Sequence, residues 1–139
     1  MTEKKHLYYL IILLLITFFV TSFNIIQFFF ERASFQYSDW LINYQAGFIR
    51  RGLIGEIFFQ ISNLFKLRLD FLILFFVLSL YLMFYLNFFK IIKKINLKII
   101  DFFIILSPLS FFYTAFEQKA SGRKEIIFLS LLSLFIVII

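Results

Sequence analysis

The chain predicts an all-α integral membrane protein of about four transmembrane helices, and three observations carry that prediction. First, 63% of its 139 residues are hydrophobic and only 16% are charged, whereas a soluble domain averages roughly half apolar and about a quarter charged residues. One small globule cannot hide that much apolar surface, so lipid is the expected solvent. Second, the apolar residues fall in long uncharged runs. Third, the 14 Lys and Arg flank those runs. A formal charge of +6 on a soluble protein would suggest nucleic acid. Here the cations read as orientation signals, and no nucleic-acid partner is expected.

The expected spans are 7–30, 71–89, 99–116 and 126–139, in a single membrane domain whose first outer loop, 31–70, carries an interfacial helix. The first run has 24 residues without a charge, and a spanning helix needs roughly 20. A secretory signal would have an apolar core of about 7–15 residues and a small-residue cleavage site. Asn24, Gln27, Phe28 and Phe30 stand where that site would be, so the first helix reads as uncleaved. After the second run, Lys90, Lys93, Lys94 and Lys98 form a loop without an acid. The third run has Asp101 near its entrance and Pro108 inside, where a kink is expected. The fourth run has 14 residues, fewer than the about 17 that cross a bilayer. It reads as a span cut short, in the front part of a longer protein.

Six cations fall on one side of this topology and eight on the other, so raw counting does not orient the chain. The acid-free lysine loop does: it places the N terminus in the cytosol of a multi-pass inner-membrane protein. Every cation on the outer side shares its loop with an acid. The outer loops therefore read as sites.

The polar residues concentrate between Ser38 and Glu56. From Phe48 onward, Phe48, Ile49, Leu53, Ile54, Ile57, Phe58, Ile61, Leu64 and Phe65 recur at steps that give one apolar helical face, suited to the interface. The plainer reading is a re-entry helix that only links two spans. Arg50 and Arg51 lie among Gly47, Gly52 and Gly55. Two guanidiniums beside permissive backbone near a helix start form a candidate site for a phosphate or a lipid headgroup. Arg123 and Lys124 of the second outer loop are candidates to join them. Asp39, beside aromatic residues at the edge of low dielectric, is the candidate base with a raised pKa, or else the cap of a short helix beginning at Trp40. Glu56 and Glu117 are weaker catalytic candidates, with Glu117 or Glu125 placed to join Asp39. Trp40, Asn43 and Tyr44 are candidate substrate contacts. His6 receives no role.

No Cys is present, which excludes disulfides, zinc-thiolate sites and cysteine nucleophiles. No metal-ligand set is assigned; a divalent metal is left open as a cofactor. Phosphate-binding Gly-Lys-Ser/Thr, His-Glu-x-x-His and nucleophile-elbow motifs are absent. No span carries a central charge, which argues against an ion-coupled transporter.

The run Asp-Trp-x-x-Asn-Tyr-x-x-Gly from Asp39 to Gly47, after one span and before an interfacial helix, resembles the start of GT-C-type polytopic sugar transferases. The segment Arg-Arg-Gly-Leu-x-Gly-Glu, Arg50 to Glu56, is also similar to bacterial membrane proteins of surface-polysaccharide pathways. The resemblance implies an envelope-glycan glycosyltransferase that takes a polyprenyl-phosphate-linked sugar, with Asp39 as base or metal ligand. The chain departs from the commonest pattern by lacking a second acid beside Asp39. The alternative is a non-enzymatic membrane subunit, or a transporter or channel fragment, whose loops bind lipid or a partner.

Overall fold

The computed structural model describes residues 2–31, 35–45, 47, 52–94, 113–117 and 121–139. Among them every regular element is a helix: α1 (Thr2–Glu31), α2 (Phe35–Leu41), α3 (Leu53–Phe65), α4 (Leu69–Lys94), α5 (Tyr113–Phe116) and α6 (Glu125–Ile138). Most of the expected third span lies outside the described residues, Asp101 and Pro108 included; its end forms α5.

Two helices, α1 and α4, are long and apolar enough to cross a membrane. Neither contains Gly or Pro, and both are rich in Leu, Ile and Phe. Each runs past its uncharged stretch, because the flanking Glu and Lys residues are good helix formers. Lys93 and Lys94 in the last turn of α4, and Asp70 in its first, also suit the helix dipole. The other two expected spans are not shown at spanning length: α6 has 14 residues.

α4 is the central element, packed against α1, α3 and α6. Its inner face, Ile73, Val77, Leu80, Tyr81, Phe84 and Tyr85, forms the core with residues of the neighbouring helices. The apolar stretches of α1 and α4 are nevertheless only 28% and 33% buried. Phe19, Phe23, Phe75 and Leu86 point outward. A core helix of a water-soluble protein would be mostly covered, and lipid is the solvent in which such outward faces cost nothing.

Polar side chains stitch the helices together. Thr21 Oγ1 and Tyr85 OH lie 3.1 Å apart between α1 and α4. Asn87 donates to Ser133 Oγ at 3.3 Å between α4 and α6, and Ser133 donates on to the Ser130 carbonyl. Asn24 donates to the carbonyls of Thr114 and Ala115, fixing α5 on α1. Interhelical bonds of this kind contribute about 0.6–2 kcal/mol in a bilayer. Asn87→Leu is therefore expected to lower stability to SDS-induced unfolding by about 1 kcal/mol with native helix content unchanged.

α3 occupies the place expected of the interfacial helix but begins at Leu53, after Gly52, not at Phe48. Phe48 and Ile49 lie outside the described residues. Gly55 and Phe58 turn inward, while Leu53, Ile57 and Leu64 form an outward apolar stripe. The helix ends on Lys66 in the left-handed conformation, φ 53°, and α4 follows almost at once.

Candidate functional site

Two loops distant in sequence meet beside α4. From the first, the last turn of α2 supplies Asp39 and Trp40. From the second, residues 121–124 supply a tight turn that leads into α6. Trp40 is fully buried, and its Nε1–H donates to the Gly122 carbonyl at 2.6 Å. Its ring packs against Phe58 of α3 and Phe76 of α4, at centroid distances of 6.5 and 6.4 Å. Tyr81 of α4 donates its hydroxyl to the Ser121 carbonyl at 3.0 Å. Gly122 has no room for a side chain: a Cβ there would run into the ring of Phe28 on α1. Three elements, α1, α2 and α4, thus converge on one turn.

Asp39 Oδ2 lies 3.5 Å from Lys124 Nζ, with the two side chains 16% and 18% exposed. The ammonium also stands 5.7 Å from the Trp40 ring centroid, within cation–π range. Asp39 Oδ1 is buried and has no hydrogen-bond partner. Asp39 is not a helix cap. α2 begins at Phe35, four residues earlier, so Asp39 sits in the last turn and its carboxylate reaches sideways to the other loop.

Lys124, a candidate anion ligand, is paired with Asp39. Arg123 and Glu117 are exposed. Arg50 and Arg51 lie outside the described residues. Among the described residues no group of three His, Cys, Asp or Glu is placed to hold a metal ion.

Asn43, Tyr44 and Glu56 form a second cluster. Glu56 Oε2 accepts the Tyr44 backbone N–H at 3.0 Å, and its Oε1 accepts Gln60 Nε2 at 3.0 Å. Asn43 Oδ1 accepts the Gln45 N–H, turning the chain toward Gly47, whose φ of +117° suits glycine. The Tyr44 amide, then Gln60, hold the Glu56 carboxyl below its ordinary value of 4.5. A depressed carboxylate contributes stability above its unfolded pKa and loses it as pH falls through the folded one. Exchange protection of the Tyr44 amide is therefore expected at neutral pH and to fade below about pH 4.5. In Glu56→Gln that pH step should vanish.

Sequence reasoning missed Phe28, Phe58 and Tyr81 as supports of the site. Tyr81 carried a signal, one of three hydroxyls with Ser79 and Tyr85 in an otherwise greasy run. Fold and site together define an all-helical chain with two helices of membrane-spanning length and a polar junction built from two loops. No family model, curated protein or solved structure matches it.

Proposed function

We propose that the chain is a multi-pass protein of the bacterial inner membrane, N terminus cytosolic, that works in envelope-glycan transfer from a polyprenyl-phosphate-linked sugar. The observation that supports this reading best is the state of Asp39. It is sheltered, held by the second loop through Lys124, and its other oxygen is buried without a hydrogen-bond partner. In the proposed reaction the acceptor hydroxyl gives its proton to Asp39 as its oxygen bonds the anomeric carbon. The bond from that carbon to the phosphate oxygen breaks, and polyprenyl phosphate leaves. Arg50, Arg51 and Arg123 take up the phosphate charge. Trp40, Asn43 and Tyr44 shape the acceptor side.

General-base assistance contributes typically 10²–10⁴-fold. Asp39→Asn, which preserves shape, is thus expected to reduce sugar transfer in membranes carrying polyprenyl-phosphate donors by about 10²-fold or more. Unchanged turnover removes Asp39 from the chemistry.

The Lys124 pairing favours a second reading. A carboxylate already neutralised by an ammonium can serve as a clamp between two loops in a non-enzymatic membrane subunit. In that case Asp39→Asn and Lys124→Gln destabilise the protein equally, and the glycan profile stays intact.

A further inference from the structure

We infer that the corner joining α3 to α4 is seated in lipid, and that Lys66 and Arg68 on it bind the phosphate of an anionic lipid headgroup. This requires the membrane reading of α1 and α4 and owes nothing to sugar transfer. The occupant follows from continuity. On α4 the outward residues Phe71, Phe75, Leu82 and Leu86 are spaced as one helical stripe, which runs from the middle of the span to its start. Exposed Leu67, Phe65 and Leu64 carry it around the corner onto α3. The solvent that covers Leu82 and Leu86 in mid-span therefore meets the corner as well. α3 is built for such a boundary. Leu53, Ile57 and Leu64 fall within about 40° of one another around the helix. Glu56, Gln60 and Asn63 lie about 70° to one side of them, and Gly55 and Phe58 face protein. One helix thus presents an apolar, a polar and a packed face.

The level of the corner follows from helix register. Thr21 lies beside Tyr85, and Phe28 abuts the turn whose Ser121 bonds Tyr81, so α1 runs antiparallel to α4. Counting on from the Thr21–Tyr85 contact sets Glu31, the last residue of α1, level with Phe75. α4 extends beyond that level to Leu69, which carries the corner about 9 Å past Glu31. With Glu31 at the edge of the hydrocarbon, and a headgroup layer of about 5–8 Å on each side, the corner falls at the outer headgroups. Its side chains therefore meet lipid phosphate without entering the hydrocarbon.

The turn itself is closed without either cationic group. The Lys66 and Leu67 N–H groups both point at the Ser62 carbonyl, and Ser62 Oγ donates to the Leu67 carbonyl at 2.7 Å. Lys66 holds the left-handed position that ends α3, where glycine is the commonest choice, and its side chain is exposed. Arg68 is 65% exposed, with its guanidinium 5.0 Å from the Phe71 ring centroid and Nη2 3.6 Å from Asp70 Oδ2. Asp70 offsets one of the two cations. A guanidinium carries five N–H donors, more than one carboxylate takes up, and its planar fork suits phosphate. The corner thus offers two exposed donors of like charge and one positive charge in excess, at the level where lipid phosphates lie.

The chain has no Cys, so Leu64→Cys and Leu82→Cys each place a single nitrobenzoxadiazole dye on the full protein in phosphatidylcholine bilayers. Both dyes should be quenched by lipids carrying a nitroxide on the acyl chain and shielded from an aqueous quencher. Quenching by lipid at 82 but by water at 64 overturns the lipid seat and leaves the membrane reading standing. A dye at 64 shielded from both lipid and water marks a protein partner or a second copy, and also overturns it. Absence of lipid quenching at 82 overturns the membrane reading and the inference with it. Nitroxide-labelled phosphatidylglycerol, added as a minor component, then reports the headgroup. It should quench the dye at 64 as if enriched about fivefold over equally labelled phosphatidylcholine, the ratio for one excess cation at a lipid surface. Lys66→Gln combined with Arg68→Gln should remove that preference while quenching at 82 stays unchanged. Equal quenching by the two lipids with both cations in place, or a preference that survives both replacements, overturns the phosphate site.

Discussion

Trp40→Ala is expected to cost the fold about 3–5 kcal/mol, the range for removing a large buried aromatic side chain. Trp40 is fully buried and joins three helices and a turn through one ring and one N–H. Its loss opens a cavity between Phe58 and Phe76 and frees the 121–124 turn at the same time. Trp40→Phe separates the two contributions. It keeps most of the apolar packing but leaves the Gly122 carbonyl without its donor, for an expected loss of about 1–3 kcal/mol. Loss of the circular dichroism helix signal against SDS fraction in mixed micelles measures both, without relying on tryptophan emission. If Trp40→Phe is as stable as the native chain, the Nε1–carbonyl bond contributes nothing and the turn is held by packing alone.

The second large effect is at Gly55. In an exposed helix interior, Gly→Ala should stabilise by about 1 kcal/mol. Here a Cβ would collide with the backbone carbonyl of Ile42, which cannot rotate aside. Sterics therefore outweigh propensity, and Gly55→Ala is expected to destabilise by about 1–3 kcal/mol, the usual cost of overpacking. Gly122→Ala first meets the Phe28 ring, a side chain that can tilt where a backbone carbonyl cannot, so its cost should be smaller. The order of the two in the same unfolding assay is the check. A stable Gly55→Ala would mean that the 42–45 segment does not sit on α3.

Much of the fold was legible because solvent chemistry writes it into composition. The uncharged runs 7–30 and 71–89 lie inside α1 and α4, and the steps of three and four residues after Gly52 lie on α3. The site was legible only in its ingredients. Asp39 before Trp40 looks the same locally whether the residue caps a helix or closes one. What decides is the tertiary packing of Trp40 on Phe58 and Phe76, and no local pattern encodes it. The Asp39–Lys124 pair and the Trp40–Gly122 bond join residues more than 80 positions apart, at no period a helix imposes. Glu56 was singled out for acid–base chemistry, yet its partners are a backbone amide and Gln60. An amide is invisible in a one-letter string. Arg50 and Arg51, the clearest anion-binding pattern in the sequence, belong to the segment outside the described residues.

Only Lys66, Leu67 and Arg68 separate α3 from α4, a tether that reaches about 10 Å at full stretch. The two helices consequently behave as a hinged elbow. Any tilt of α4 must drag α3 with it. The Glu56 carboxylate then hands that displacement to residue 44, four positions from the tryptophan. Tilt of the long central helix thereby gains a mechanical route to the carboxylate–ammonium pair, without any molecule having to touch it.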